Sequence, residues 1–177
     1  MPRIANRTLG FVCGLLLLGA GLGGCASVPP DWSFIDASGA RVRLSDYRGR
    51  VLVLAFTNTW CEPCKEAAPF LQDLQDEFAD RGVMILAMSS WERGDPVNYM
   101  KRHGYTYGVM VRGTELARKY NVDNLPTFYV IGVNGQVIYR KEGFKESTAK
   151  KMAGVIDRHL KAHGRRRDKV QTTALTP

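Results

Sequence analysis

"VLVLAFTNTWCEPCKEAAP", residues 51–69, runs an uncharged apolar segment into a pair of cysteines and then a proline. Val51 to Phe56 has the continuous apolar pattern of a strand covered on both faces. Beyond it, Phe70, Leu71, Leu74 and Phe78 recur at helical spacing, so a helix is expected to start close to Cys61 and to kink at Pro69. A Cys-X-X-Cys pair at such a start has a definite chemistry. The first thiol meets unpaired backbone N–H groups and the positive end of the helix dipole, and both favour the thiolate. The second lies about one turn further in, less exposed and close enough to close a disulfide. Pro63, between them, removes a donor and stiffens the turn. The arrangement suits thiol–disulfide exchange: Cys61 attacks a disulfide and Cys64 resolves the mixed disulfide.

Metal binding is the competing use of such a pair. Structural zinc wants four ligands, and outside the N-terminal segment the chain adds only His103, His159 and His163 to the two thiols. Copper needs fewer, but no histidine sits in a motif beside the pair, so no metal site is assigned. A copper-binding metallochaperone using the same cysteines remains the alternative function. A peroxidase would need its reactive cysteine in a Thr/Pro-rich loop, a setting that "TWCEPC" lacks.

The chain of 177 residues, 45% hydrophobic, is long enough for one ordinary domain with its own core. It does not need a disulfide framework to fold. The first two dozen residues stand apart. Arg3 and Arg7 precede "LGFVCGLLLLGAGLGG", an uncharged run that is short for a membrane span and reads as a secretion signal. Cleavage there removes Arg3 and Arg7 and no acid, taking the formal charge from +8 to +6. Cys13 leaves with the signal.

Residues 25–32 form a short proline-containing tether, and the domain is placed at 33–162. The basic, Thr-rich end at 163–177 is expected to be a frayed tail, with anionic headgroups as a possible contact. Nothing points to nucleic acid, no internal repeat or second domain boundary is present, and a monomer is expected.

Within the domain, alternating pieces around Ser38-Gly39 signal a hairpin. "VMILAM", Val83 to Met88, predicts a second buried strand, and Asp95-Pro96 opens a helix through about His103. Tyr105 and Tyr107 read as core and rim. Thr114 is expected to cap a short helix to Tyr120. "TFYVIG", Thr127 to Gly132, predicts a strand that Asn134-Gly135 turns back into "QVIYRKEG". Ser147 is expected to cap the last helix, with Met152, Val155, Ile156 and His159 or Leu160 facing inward. The order hairpin, β, α, β, α, α, β, β, α predicts an α/β/α sandwich with a mixed central sheet and an N-terminal β-hairpin.

With these pieces in place, the opening stretch resembles the active-site strand, turn and kinked helix of thioredoxins, Trp60 preceding the first cysteine. "NVDNLPTFYV" resembles the loop bearing that family's cis-proline. With "SGARVRLSDYRGRVLVLAF", "GVMILAMSSWE" and "NGQVIYRKEGF", the chain is most similar to the TlpA/ResA-like branch of membrane-anchored thioredoxins over about Ser33 to Leu160. "LGGC", Leu22 to Cys25, likewise resembles the bacterial lipobox, which implies a lipid on Cys25 and an anchor in a membrane. An uncleaved N-terminal helix with an incidental cysteine is the other reading.

The resemblance implies a thioredoxin-like fold in the cell envelope, on the periplasmic side of a bacterial membrane. It implies a reductase of disulfides in exported proteins, of the cytochrome c maturation or copper-site assembly type, fed by a membrane thiol donor. No cofactor is implied beyond the Cys61–Cys64 disulfide. Pro126 would lie against that disulfide and expose the backbone of Leu125 to a substrate peptide, with Trp60 and Pro63 alongside. Read without the resemblance, Pro126 is a proline at a strand start.

Two positions depart from the pattern. Ala55 stands where thioredoxin has a buried acid, and Phe128 where the branch more often has threonine. Glu92 falls on the branch's glutamate, so it is the candidate proton acceptor for Cys64, with its pKa expected to be raised by burial. A solvated loop glutamate is the plainer alternative. For Trp91, docking surface and ordinary packing are equally open.

Overall fold

The computed structural model describes residue 29, residues 31–35 and residues 41–174, with side chains to Gly164. The expected signal at 1–24, Cys25, most of the tether and the Ser38-Gly39 turn lie outside the described residues.

Val51–Thr57 is the central strand, β3, of a five-stranded sheet ordered β5-β4-β3-β6-β7. β4, Val83–Ser89, runs parallel on one side, with Leu54 opposite Leu86. β6, Thr127–Ile131, runs antiparallel on the other, with Phe56 opposite Thr127. β7, Val137–Glu142, pairs antiparallel with β6 after a turn in which Gly135 has φ +79°, a conformation that Asn-Gly sequences favour. A separate antiparallel hairpin joins β1, Ser33–Ile35, to β2, Arg41–Arg43.

The apolar run is continuous because β3 is covered twice. Val51, Val53 and Ala55 pack with residues of α1 (Glu62–Phe78), α2 (Pro96–His103) and α4 (Glu146–Ala174). Leu52, Leu54 and Phe56 pack on the opposite face with α3 (Thr114–Lys119) and Trp32. Each large side chain so buried contributes about 1.5–3 kcal/mol of transfer free energy. The architecture is the expected sandwich with a mixed sheet and an added hairpin.

Several local expectations are corrected. β5, Gly108–Met110, is a third parallel strand, three residues long, too short to show a period in the sequence. Gly113 occupies the cap position of α3, and the Thr114 hydroxyl accepts instead from the Trp91 amide at 2.7 Å. α4 begins at Glu146, one residue before the expected cap Ser147. Its backbone continues helical to Ala174, through the start of the segment set apart as a tail at 163. Trp32, assigned to the tether, is only 4% exposed, and its Nε1 donates to the Tyr120 hydroxyl at 3.1 Å. The core therefore reaches back across the boundary drawn at 33. Among the described residues no helix is long and apolar enough to cross a membrane.

Candidate active site

β3 ends at Thr57, and four residues later the chain enters α1 with Cys61 as its N-cap. Glu62 and Pro63 fill the first helical positions, where Pro63 gives up an N–H that would have no intrahelical partner. Cys61 and Cys64 form a disulfide, with Cα atoms 5.2 Å apart. Cys61 is half-buried, whereas Cys64 faces the core at 3% exposure. The Cys61 carbonyl accepts from the amides of Cys64 and Lys65, both at 3.1 Å, so the helix forms directly from Cys61. α1 passes through Pro69 without interruption.

The loop before Cys61 is held by two residues. Asn58, buried, accepts from the Cys61 amide at 2.9 Å and donates to the Ser90 carbonyl at 3.2 Å. Sequence reasoning missed it; its one signal was an asparagine three positions before the cap, the spacing of a side chain that replaces a backbone acceptor. Thr59 binds Glu92, the amide donating at 3.0 Å and the hydroxyl at 2.7 Å.

Glu92 accepts three more hydrogen bonds, from the Ser89 hydroxyl at 2.8 Å and from the amides of Arg93 and Gly94 at 2.9 Å. Burial pushes its pKa up, but the bonds from the Thr59 hydroxyl, the Gly94 amide, Ser89 and the Thr59 amide outweigh it and the pKa is lowered. This reverses the expected direction: desolvation is present, yet five donors converge on the charged form. A Cβ at Gly94 would lie 2.7 Å from Thr59 Oγ1, so a larger residue there would displace the hydroxyl that binds Glu92. Glu92 and Cys64 nevertheless line one small cavity of about 30 Å³, together with Thr59, Ala68, Tyr99 and Tyr107. That is room for about one water between the carboxylate and the inner thiol. Ala55 is fully buried and supplies no acid.

Tyr107 is buried and Tyr105 partly so, as expected, and their rings stack with centroids 5.6 Å apart. Burial pushes the Tyr107 hydroxyl pKa far up, so it stays neutral beside the cavity.

Trp60 is 50% exposed; its Nε1 donates to the Trp91 carbonyl at 3.1 Å, and the Arg93 guanidinium lies 5.1 Å from its ring centroid. Trp91 is also exposed, with φ +49°. Pro63 is exposed beside them. Across the site, the Leu125–Pro126 peptide bond is cis. Pro126 is buried one step beyond the Phe56–Thr127 pair, where β3 runs out toward the cysteines. Leu125 makes no backbone hydrogen bond among the described residues. The structure thus brings Cys61, Cys64 and Glu92 to the same end of the sheet that carries Trp60, Pro63, Leu125 and Pro126.

Among the described residues no cluster of three or more His, Cys, Asp or Glu side chains could hold a metal ion. His103 Nδ1 instead sits 2.8 Å from the Tyr99 carbonyl, within its own helix.

The profile of the AhpC/TSA family matches residues 27–140. The chain is 37% identical over 113 residues to the thiol-disulfide oxidoreductase ResA of Geobacillus kaustophilus, covering 63% of this chain and 65% of that protein. It is 31% identical over 116 residues to ResA of Bacillus thuringiensis subsp. konkukian, covering 64% of this chain and 67% of that protein. The chain thus spans about two thirds of the length of these relatives. It also superposes on the crystal structure of a thiol:disulfide interchange protein of the thioredoxin family from Chlorobium tepidum, with TM-score 0.67 and 25% identity, covering 76% of this chain and 97% of that one.

Proposed function

Because the chain belongs to the AhpC/TSA family, we propose that it is a thiol–disulfide oxidoreductase that reduces disulfides in exported proteins. The observation that carries this reading is the asymmetry of the pair: Cys61 half-buried at a helix N-cap, Cys64 buried behind it. In the dithiol form the Cys61 thiolate attacks one sulfur of a substrate disulfide. A bond forms between Cys61 and that sulfur, the substrate S–S bond breaks, and its second sulfur leaves as a thiolate. Cys64 then loses its proton and attacks Cys61 Sγ. The Cys61–Cys64 bond closes, and the first substrate sulfur leaves. Two electrons and two protons have passed to the substrate. A membrane thiol donor returns the pair to the dithiol form.

The substrate peptide is proposed to lie along Leu125, whose unpaired backbone groups can pair as in an added strand, beside Pro126. Trp60 and Pro63, both exposed, flank it. Glu92 enters as an ionised positioning group: it holds Thr59 and forms one wall of the cavity through which Cys64 gives up its proton. The proposed setting is the periplasmic side of a bacterial membrane, with a lipid on Cys25 supported by "LGGC" after an uncharged run. Proteins of cytochrome c maturation or copper-site assembly are the proposed substrates.

The test is a pair of variants with a disulfide-bearing peptide. Cys64→Ser is expected to accumulate a peptide–Cys61 mixed disulfide, and Cys61→Ser to react with nothing. Alkylation of the reduced wild type should label Cys61 first and at lower pH. Capture of the peptide on Cys64 would overturn the assignment, and absence of any mixed disulfide would overturn the activity.

A further inference from the structure

The end of the domain opposite the disulfide is basic. An open groove of about 590 Å³ lies there, walled by the turns that enter β3 and β4 and by α4. Arg48, Arg50, Arg81, Lys161 and His163 line it, and no acidic side chain does. Asp157 pairs with both Arg81, at 2.8 Å, and Lys161, at 2.7 Å. Arg48 and Arg50 have no ion pair among the described residues, so the face carries four full cations against two carboxylates, Asp157 and the Asp31 of the adjoining groove. The cations are exposed, Lys161 to 64%, rather than aimed into an enclosed pocket. The sequence following Gly164 on the same helix is "RRRDK".

The N-terminal segment reaches the same end. Pro29 lines a smaller adjoining groove with Asp31, Arg48 and Arg50. Cys25 lies four residues before it, at most about 14 Å of extended chain.

We propose that this basic end docks on an anionic phospholipid surface, through Arg48, Arg50, Arg81 and Lys161. The charge matches phosphodiester headgroups, the groove is open enough for a surface rather than a single molecule, and the chain leaves the domain toward the proposed lipid. β3, seven residues long, separates the groove from the cysteine loop by roughly 23 Å at about 3.3 Å per residue. Docked this way, the domain holds Cys61 away from the bilayer, toward exported proteins. The thiols of a membrane donor must then stand clear of the headgroups to meet it.

This inference shares with the anchor reading only the position of Pro29, and the two are tested apart. The full chain is reconstituted in phosphatidylcholine vesicles, with and without phosphatidylglycerol, and amide hydrogen exchange is followed by mass spectrometry. Retention on the neutral vesicles reports the anchor; the difference between the two vesicles reports the face. Exchange at residues 48–51 and 160–164 is expected to slow on anionic vesicles only, and to recover in high salt, while residues 58–64 do not change. Arg48→Gln with Arg50→Gln should lower the docked-to-undocked ratio roughly 30-fold. Equal exchange on both vesicles would overturn the proposal. So would the same slowing produced by inorganic phosphate on neutral vesicles, which would make the groove a site for a free anion.

Discussion

Thr59 donates both its amide and its hydroxyl to the Glu92 carboxylate, at 3.0 and 2.7 Å, across 33 residues of sequence. Thr59 lies two residues before Cys61, and Glu92 three residues beyond the end of β4. The position of Cys61 is therefore set jointly by two neighbouring parallel strands. Asn58 repeats the device one residue earlier, joining Cys61 to Ser90. A loop held twice in this way fixes Cys61 at the helix N-terminus.

Glu92→Gln is expected to destabilise the domain by about 1–3 kcal/mol, because an amide cannot satisfy donors that converge on a carboxylate. The pH dependence follows from the sign of the shift. The folded-state pKa is lowered from 4.5, so this group's contribution is present above about pH 4.5 and is lost as pH falls through the folded value. Urea denaturation of both proteins across the acid range should show a shallower acid loss for the variant. Parallel but offset profiles would remove the pH-linked part of the contribution, and superimposed profiles would mean that the five bonds contribute nothing to stability.

Asn58→Asp is expected to raise the pKa of the Cys61 thiol, since it puts a negative charge at the atom that now caps the Cys61 amide. The pH dependence of Cys61 alkylation measures it. Asn58→Ala adds no charge and should leave that profile nearly in place, while costing about 1–3 kcal/mol through the unpaired Cys61 amide and Ser90 carbonyl. Identical alkylation profiles for Asp and wild type would show that position 58 does not act on the thiol.

Trp32 gives a test of where the domain begins. Trp32→Ala removes a ring in contact with Phe34 and Tyr47 and should cost about 3–5 kcal/mol. Trp32→Phe keeps most of the packing, loses the bond to Tyr120, and should cost about 1 kcal/mol. Thermal unfolding that is unchanged in both variants would return Trp32 to the tether.

Cys25→Ala is expected to abolish incorporation of labelled fatty acid and to release the protein from membranes. Radiolabelling with fractionation reads both. A variant that still takes up label would remove the lipid from Cys25.

The central strand, the helix after it and the order of the domain could be read from the sequence because each rests on a local pattern. Val51 to Phe56 is apolar throughout since the strand is covered on both faces, and the α1 side chains Leu71, Leu74 and Phe78 repeat at the helical period. The cysteine pair declared its chemistry for the same reason: four adjacent residues place one thiol at a helix start and the other one turn inside. Other features depend on what approaches from elsewhere. β5 exists because Gly108 to Met110 pair with Leu86 to Met88, and Trp32 is core because Tyr120 and Tyr47 meet it. Glu92 shows the difference most plainly. Its place beside the site and its burial were expectations from the family resemblance, held against a solvated loop glutamate, and the sign of its pKa shift was not legible. Desolvation follows from burial alone and raises the pKa. The opposing hydrogen bonds need donors from Thr59, Ser89 and Gly94 within about 3 Å of one carboxylate, and only the folded chain brings residues 33 apart to that distance.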